Sequence, residues 1–380
     1  MKEFFNKYKI QTIISLAVII VVIVSIVLVN IFYFRTARID DFYTRGIWLS
    51  YQDLTLFDVS SEKSLKEDIE EVKDTMDNYH LNTLYLQVRP FSDAIYDSSL
   101  FPQSLINDES YNIDILECFI ESFKDTDKEI VAWINPYRIS LDQKHYEYFR
   151  NESIHSSWLD DDHTITYDDY KTILNPSNTD AQEYILDGIK EVLEYDVSGI
   201  IFDDYFYVPG TQDDTTLESR QEDVNTLIQQ VYTLVHHSNK TFGISCQGNY
   251  DNCINEGANV DLWLSTTGYI DYLMPQIYWS DDYNSIEDGN VEMFTTRAKL
   301  FSRIKRNKNI SLYVSFAIYK CGIEDETDAG WGKSSNNLST QLQTIFRKYS
   351  GYSFYSYRHV LLDTSKEELE TLMNEHEYKE

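Results

Sequence analysis

Short apolar runs alternate with amphipathic stretches along most of the chain. The runs begin at Arg45 ("RGIWLSY"), Leu81 ("LNTLYLQVRP"), Lys128 ("KEIVAWINPYR"), Val197 ("VSGIIFDDYF"), Lys240 ("KTFGISCQGN"), Ile270 ("IDYLMPQIYW"), Ile310 ("ISLYVSFAIYK") and Gly351 ("GYSFYSY"). Each is short, apolar and rich in β-branched or aromatic residues, which predicts a buried strand. Between them, apolar residues recur at helical spacing. Helices are expected over 64–79, 113–123, 180–193, 217–236, 291–304 and 338–349, with a weaker one at 258–266 and a closing one at 366–374. In the stretch from Leu217 to His236, for example, Val224, Leu227, Ile228, Val231 and Leu234 share one face. Alternating strands and helices predict a parallel sheet. Eight such units predict an α/β fold of the (β/α)8, or TIM-barrel, type. A doubly wound sheet is the alternative, but no Gly-rich nucleotide loop follows the first strand.

The first 34 residues follow a different pattern. "IISLAVIIVVIVSIVLVNIFYF" covers 13–34 without a charge, about the length of a membrane-crossing helix. Lys2, Lys7 and Lys9 precede it, which favours a cytoplasmic start, although Arg35 and Arg38 weaken that bias. A cleaved signal peptide is the competing reading, but its apolar core would be shorter. The expectation is therefore a cytoplasmic 1–12, a single-pass transmembrane signal anchor at 13–34, a linker at 35–44 and an extracellular barrel domain at 45–376.

Composition narrows the partners. A net charge of -31 argues against nucleic acid. The 30 tyrosines and 6 tryptophans suit flat, hydroxylated ligands, although many tyrosines serve simply as strand formers. Cys118, Cys246, Cys253 and Cys321 show no metal spacing, and one disulfide or four free thiols remain open. No H-E-x-x-H motif occurs, and the acidic run Asp160–Asp162 with His163 reads as a solvated loop, so no metal or cofactor is expected.

A barrel builds its active site where strands end. The residues there are Tyr51, Gln87, Arg89, Asp93, Asn135, Tyr137 and Arg138 in the first three units. Asp203, Asp204, Tyr205, Gln247, Gln276, Tyr278, Trp279, Tyr319, Lys320 and Tyr355 follow in the others. Amides and arginines bind hydroxyls, aromatic faces stack on rings, and paired acids work on glycosidic bonds. Adjacent strand residues point to opposite faces, so only one of Asp203 and Asp204 enters the mouth directly, and the pattern leaves open which. Asp204 is the first candidate for a catalytic acid, Asp203 the second and Asp93 the third. The remaining strand-end residues from Arg89 to Lys320 are candidate substrate contacts. The 44 residues from Asn135 to Asn178 form the longest insertion, and a loop of that length is usually functional.

Taken in order, "RGIWLSYQDL", "NTLYLQVRPFSDAIYDSSLFP", "VAWINPYR", "LNPSNTDAQEYILDGIKEVL", "VSGIIFDDYFY", "YLMPQIYW", "VSFAIYK" and "GYSFYSY" resemble the glycosyl-hydrolase-like 10 family. The resemblance runs from Arg45 to Tyr357. It implies a (β/α)8 barrel that hydrolyses a glycosidic bond in a bacterial cell-envelope glycan, with peptidoglycan glycan strands as the substrate class. Arg89 and Asp93 match the family's "QVRP…DA" motif, and Asn135, Tyr137 and Arg138 match "NPYR". Asp203, Asp204 and Tyr205 match "FDDY", Gln276, Tyr278 and Trp279 match "PQIYW", and Tyr319 and Lys320 match the motif ending in "YK". The segment from Gly248 and the acidic stretch from Lys320 to Gly332 depart from the family pattern. A glycan-binding module without turnover, and a structural protein of an envelope assembly, are the competing functional classes.

Overall fold

The computed structural model describes residues 14–16, 18–25, 35–106, 111–212, 215–285 and 289–379. The expected membrane helix is corrected first. Residues 14–16 and 18–25 are helical, but among the described residues no helix is long and apolar enough to cross a membrane. The rest of 13–34 lies outside the described residues. A helix needs roughly 20 apolar residues to span a bilayer, and among the described residues no helix is both that long and that apolar. The transmembrane anchor, the membrane partner and the single-pass localisation are accordingly not carried forward.

The second compact unit, Ile39–Glu380, holds the barrel. Its eight strands are β1 (Thr44–Leu49), β2 (Thr83–Arg89), β3 (Glu129–Ile134), β4 (Gly199–Phe202), β5 (Thr241–Ile244), β6 (Tyr272–Leu273), β7 (Ser311–Phe316) and β8 (Gly351–Phe354). Each pairs in parallel with its chain neighbours, and β8 closes against β1. The eight apolar runs supply these eight strands. β6 is cut to two residues because Pro275 follows it and has no N–H to give the ladder. Single bridges from Gln276 to Gln247 and Ser315 continue the pairing beyond the proline.

Helices form where the periodicity predicts them, and polar caps fix their starts. Ser61 caps Glu62–Asn78, Asn178 caps Thr179–Leu193, and Thr216 with Ser219 forms a capping box on Leu217–His237. The insertion after β3 is not a bare loop. It contains the helix Gln143–Glu152 and a three-stranded antiparallel sheet of Arg138–Ser140, Lys171–Leu174 and Thr164–Asp168.

Inside the barrel, Trp48, Tyr85, Val131, Trp133, Ile201, Tyr272, Met274 and Tyr313 pack as one cluster. Trp48 stacks on Tyr85 at 4.6 Å and meets Trp133 edge-on at 4.9 Å. Its indole N–H donates to Ser315 at 3.0 Å and Ser353 at 2.7 Å. A buried indole needs such a partner, so two small hydroxyls face the large ring. Gly243 makes room in the same way: a Cβ there would lie 2.2 Å from the Tyr272 ring. This layer of rings is the floor beneath the functional end.

Candidate active site

Strand alternation decides the orientation that the sequence leaves open. Ile201 of β4 belongs to the interior cluster and pairs with Trp133. Asp203, two residues on, therefore continues the inward face. A cavity of about 260 Å³ opens there, at the C-terminal ends of the strands. Trp48, Trp133, Tyr278, Tyr319 and Tyr355 supply its aromatic walls. Gln87, Arg138, Asp203, Asp204, Ser245 and Gln276 supply polar groups, and Tyr51 and Tyr205 complete the lining.

Asp203 is buried and sits at the centre of a hydrogen-bond network. Its Oδ2 accepts from Asn135 Nδ2 at 2.6 Å. Its Oδ1 accepts from Gln276 Nε2 at 3.1 Å and from the Asp204 backbone N–H at 2.8 Å. Behind it, Asn135 Oδ1 accepts from Gln87 Nε2 at 2.6 Å and Arg138 Nη2 at 3.0 Å. Gln87 is held in turn by the Tyr51 N–H at 2.9 Å, and Arg138 Nε donates to the Pro90 carbonyl at 2.6 Å. Donors from three strand ends, those of β3, β4 and β6, thus converge on one carboxylate, and Gln87 at the end of β2 fixes the Asn135 amide from behind.

Asp204 has a contrasting environment. Burial holds its carboxyl well above the ordinary range, and the negative charge of Asp203 adds to the shift, followed by that of Glu256. Glu256 itself is buried and pushed up to about 8 by burial, with Gln247 Nε2 donating to it at 2.6 Å. Two neighbouring carboxyls in unlike surroundings are the usual way to keep one protonated beside one served by donors.

The candidates do not all gather. Arg138, Asp203, Asp204, Tyr205, Gln276, Tyr278 and Tyr319 line the cavity, and Asn135 lies behind it. Gln247 lines an adjoining cavity instead. Asp93 is buried away from both; it accepts from the Phe91 N–H at 2.9 Å, and burial raises its carboxyl. Arg89 is fully buried with its guanidinium 3.7 Å over the Phe101 ring. Tyr137 is fully buried against Phe206. Trp279 packs beneath Arg297 at 4.1 Å, and Lys320 pairs with Asp328 at 3.0 Å. These five belong to the packing around the site.

Sequence reasoning missed Trp48 and Glu256. Trp48 was legible from the alternation Gly46, Trp48, Ser50, which puts the indole on an inward position of β1. Glu256 lies in the atypical segment after β5 and carries no strand-end signal. Asp161, Asp162 and His163 place three potential ligand atoms within 4.8 Å, but His163 bonds to Asp161 at 2.6 Å and the two acids are exposed. All four cysteines are free and buried.

Comparison with known proteins agrees with this architecture. The family model described as "Glycosyl hydrolase-like 10" matches residues 43–216, which include β1 to β4 and the Asp203–Asp204 pair. The chain is similar to Glycosyl hydrolase YngK of Bacillus subtilis (strain 168), 26% identical over 350 residues, covering 79% of this chain and 66% of that protein. It thus spans about two thirds of that relative's length. It is also similar to Glycosyl hydrolase DigH of Escherichia coli (strain K12), 23% identical over 339 residues and 76% of each chain. Among solved structures, the PgaB (BpsB) glycoside hydrolase domain from Bordetella bronchiseptica shares the fold, with a TM-score of 0.55 and 10% identity, covering 87% of this chain and 98% of that one.

Proposed function

On a chain that carries a glycosyl hydrolase-like 10 domain over residues 43–216, we propose that the barrel mouth hydrolyses a glycosidic bond in a bacterial cell-envelope glycan. Peptidoglycan glycan strands are the proposed substrate class. The domain, the barrel and the two hydrolase relatives support an enzyme that acts on a glycan. The observation that carries the reading is the contrast between the adjacent carboxyls: Asp203 accepts three hydrogen bonds, while burial and Asp203 hold Asp204 well above the ordinary range.

The chemistry follows from that contrast. Asp204, whose raised carboxyl favours the protonated form, gives its proton to the bridging oxygen as the bond to the anomeric carbon breaks. Asp203, the donor-rich partner, faces the positive charge that develops at that carbon. Water adds to the anomeric carbon, and its spare proton restores Asp204. The rings of Trp48, Trp133, Tyr278 and Tyr355 offer faces for a sugar, and Arg138 and Gln87 offer donors to its hydroxyls.

The test is release of reducing ends from purified peptidoglycan, with and without peptide stems, by the full chain and by Asp203→Asn and Asp204→Asn. Release by the wild type that is lost in the variants supports the reading. Saturable binding by all three folded proteins with no release would replace it with glycan binding alone.

A further inference from the structure

A second cavity, of about 280 Å³, adjoins the first, and Asp204 and Tyr205 line both. Each is slightly smaller than the roughly 300 Å³ at which drug-sized pockets begin, so each suits a single ring better than a chain. The wall of the second cavity is built by the insertion after β3 and by the loop after β5. The former brings Tyr167 and Lys171, the latter Gln247 and Glu256.

We infer that the second cavity is a sugar subsite across the scissile bond from the barrel mouth, so that the glycan passes over Asp204 with one ring on each side. The inference rests on the hydrolase reading and deepens it. A glycosidic oxygen has a sugar on both sides, and the group that protonates it must reach between them. Asp204 holds that position because it borders both cavities. Tyr205 borders both as well, and Tyr167 gives the second cavity an aromatic surface of its own.

The polar groups there are oriented for hydroxyls. Asn252 Nδ2 donates to Gln247 Oε1 at 3.1 Å, and Gln247 Nε2 donates to Glu256 Oε1 at 2.6 Å. The chain of donors fixes which way each amide faces, so the cavity presents a preset pattern. Lys171 is the cation of this lining, and it is paired with Asp168 at 2.6 Å. The ligand class is therefore a neutral, hydroxyl-rich ring continuing the glycan, rather than an anionic one.

Two readouts test it on the full chain, with denuded peptidoglycan tetrasaccharide as the probe. Tyr167→Ala and Gln247→Ala, shown to be folded by circular dichroism and unfolding midpoint, are compared with the wild type for cleavage. Each substitution is also placed in an Asp204→Asn background for binding. A drop of about tenfold or more in kcat/KM, carried mainly by KM and matched by weaker binding, supports the subsite. Cleavage and binding both within twofold of the parent overturn it while leaving the hydrolase reading intact. Absence of cleavage with binding that Tyr167→Ala weakens removes the hydrolase reading and overturns the placement across a scissile bond, leaving the second cavity as a glycan-binding site only. Neither cleavage nor binding by any form removes both.

Discussion

Asn135 Nδ2 lies 2.6 Å from Asp203 Oδ2, and the same amide's oxygen accepts from Gln87 and Arg138. The amide is thus fixed from behind and donates forward. We predict that Asn135→Ala lowers kcat on glycan on the order of 100-fold, the usual loss for one preorganised donor at a charged site. KM should change little, because Asn135 does not line the cavity. The substitution also strands the Gln87 and Arg138 donors, so unfolding free energy should fall by about 1 to 3 kcal/mol. Steady-state kinetics beside urea unfolding checks both. An unchanged kcat would remove Asn135 from the catalytic network.

The Asp204 carboxyl has a pH signature of definite sign. Its value is held well above the ordinary 3.8, first by burial and then by Asp203. As a proton donor it works below the raised value, so kcat/KM should fall as pH rises through it. Asp204→Asn should cost about 100-fold to 10,000-fold in kcat, the range for a lost general acid. Stability moves the same way. Above the ordinary value the unfolded chain releases this proton while the folded chain keeps it, so stability declines as pH rises towards the raised value. Asp204→Asn should flatten that decline in urea unfolding measured between about pH 4 and pH 8. Equal slopes in the two proteins would mean that the carboxyl is not held protonated.

Much of the barrel was legible because its signals are local. Eight apolar runs, the intervening periodicity and the caps at Ser61, Asn178 and Thr216 depend on neighbours in sequence. The cavity was half legible. Alternation narrowed Asp203 and Asp204 to opposite faces, but which face is inner depends on Ile201 packing with Trp48 and Trp133 across the barrel. Asp93, Arg89 and Lys320 stand next to strand ends in sequence, yet turn into packing, because a polar residue at such a position serves a turn or an ion pair equally well. Glu256 is the converse case: only the fold brings it beside Asp204.

Lys320 distinguishes packing from binding. Its Nζ lies 3.0 Å from Asp328 Oδ2, and Asp328 is almost fully buried. The same carboxylate accepts from the Ser280 N–H at 3.0 Å and hydroxyl at 2.6 Å and from the Trp331 indole at 3.1 Å. Lys320→Ala should therefore cost about 1 to 3 kcal/mol, below the 3 to 5 typical of breaking a fully buried pair, because other donors remain. KM for glycan should stay within twofold. A KM increase of tenfold with unchanged stability would instead make Lys320 a substrate contact.

Gly188 tests the packing under the Arg89 motif. In the middle of the helix Thr179–Leu193, glycine to alanine would ordinarily gain about 1 kcal/mol. Here a Cβ would lie 2.5 Å from Arg89 Nη1 and 2.5 Å from the Phe101 ring. Arg89 has no room to yield: it is fully buried and its guanidinium lies 3.7 Å over that same ring. Overpacking of this kind costs about 1 to 3 kcal/mol, so the overlap outweighs the helical gain and Gly188→Ala should be destabilising. The denaturation midpoint should fall with the slope unchanged. Catalytic constants at a temperature well below unfolding should remain those of the wild type, because neither Gly188 nor Arg89 lines the cavity. A higher midpoint would show that Arg89 moves aside freely, and the tight seat inferred for it would be wrong.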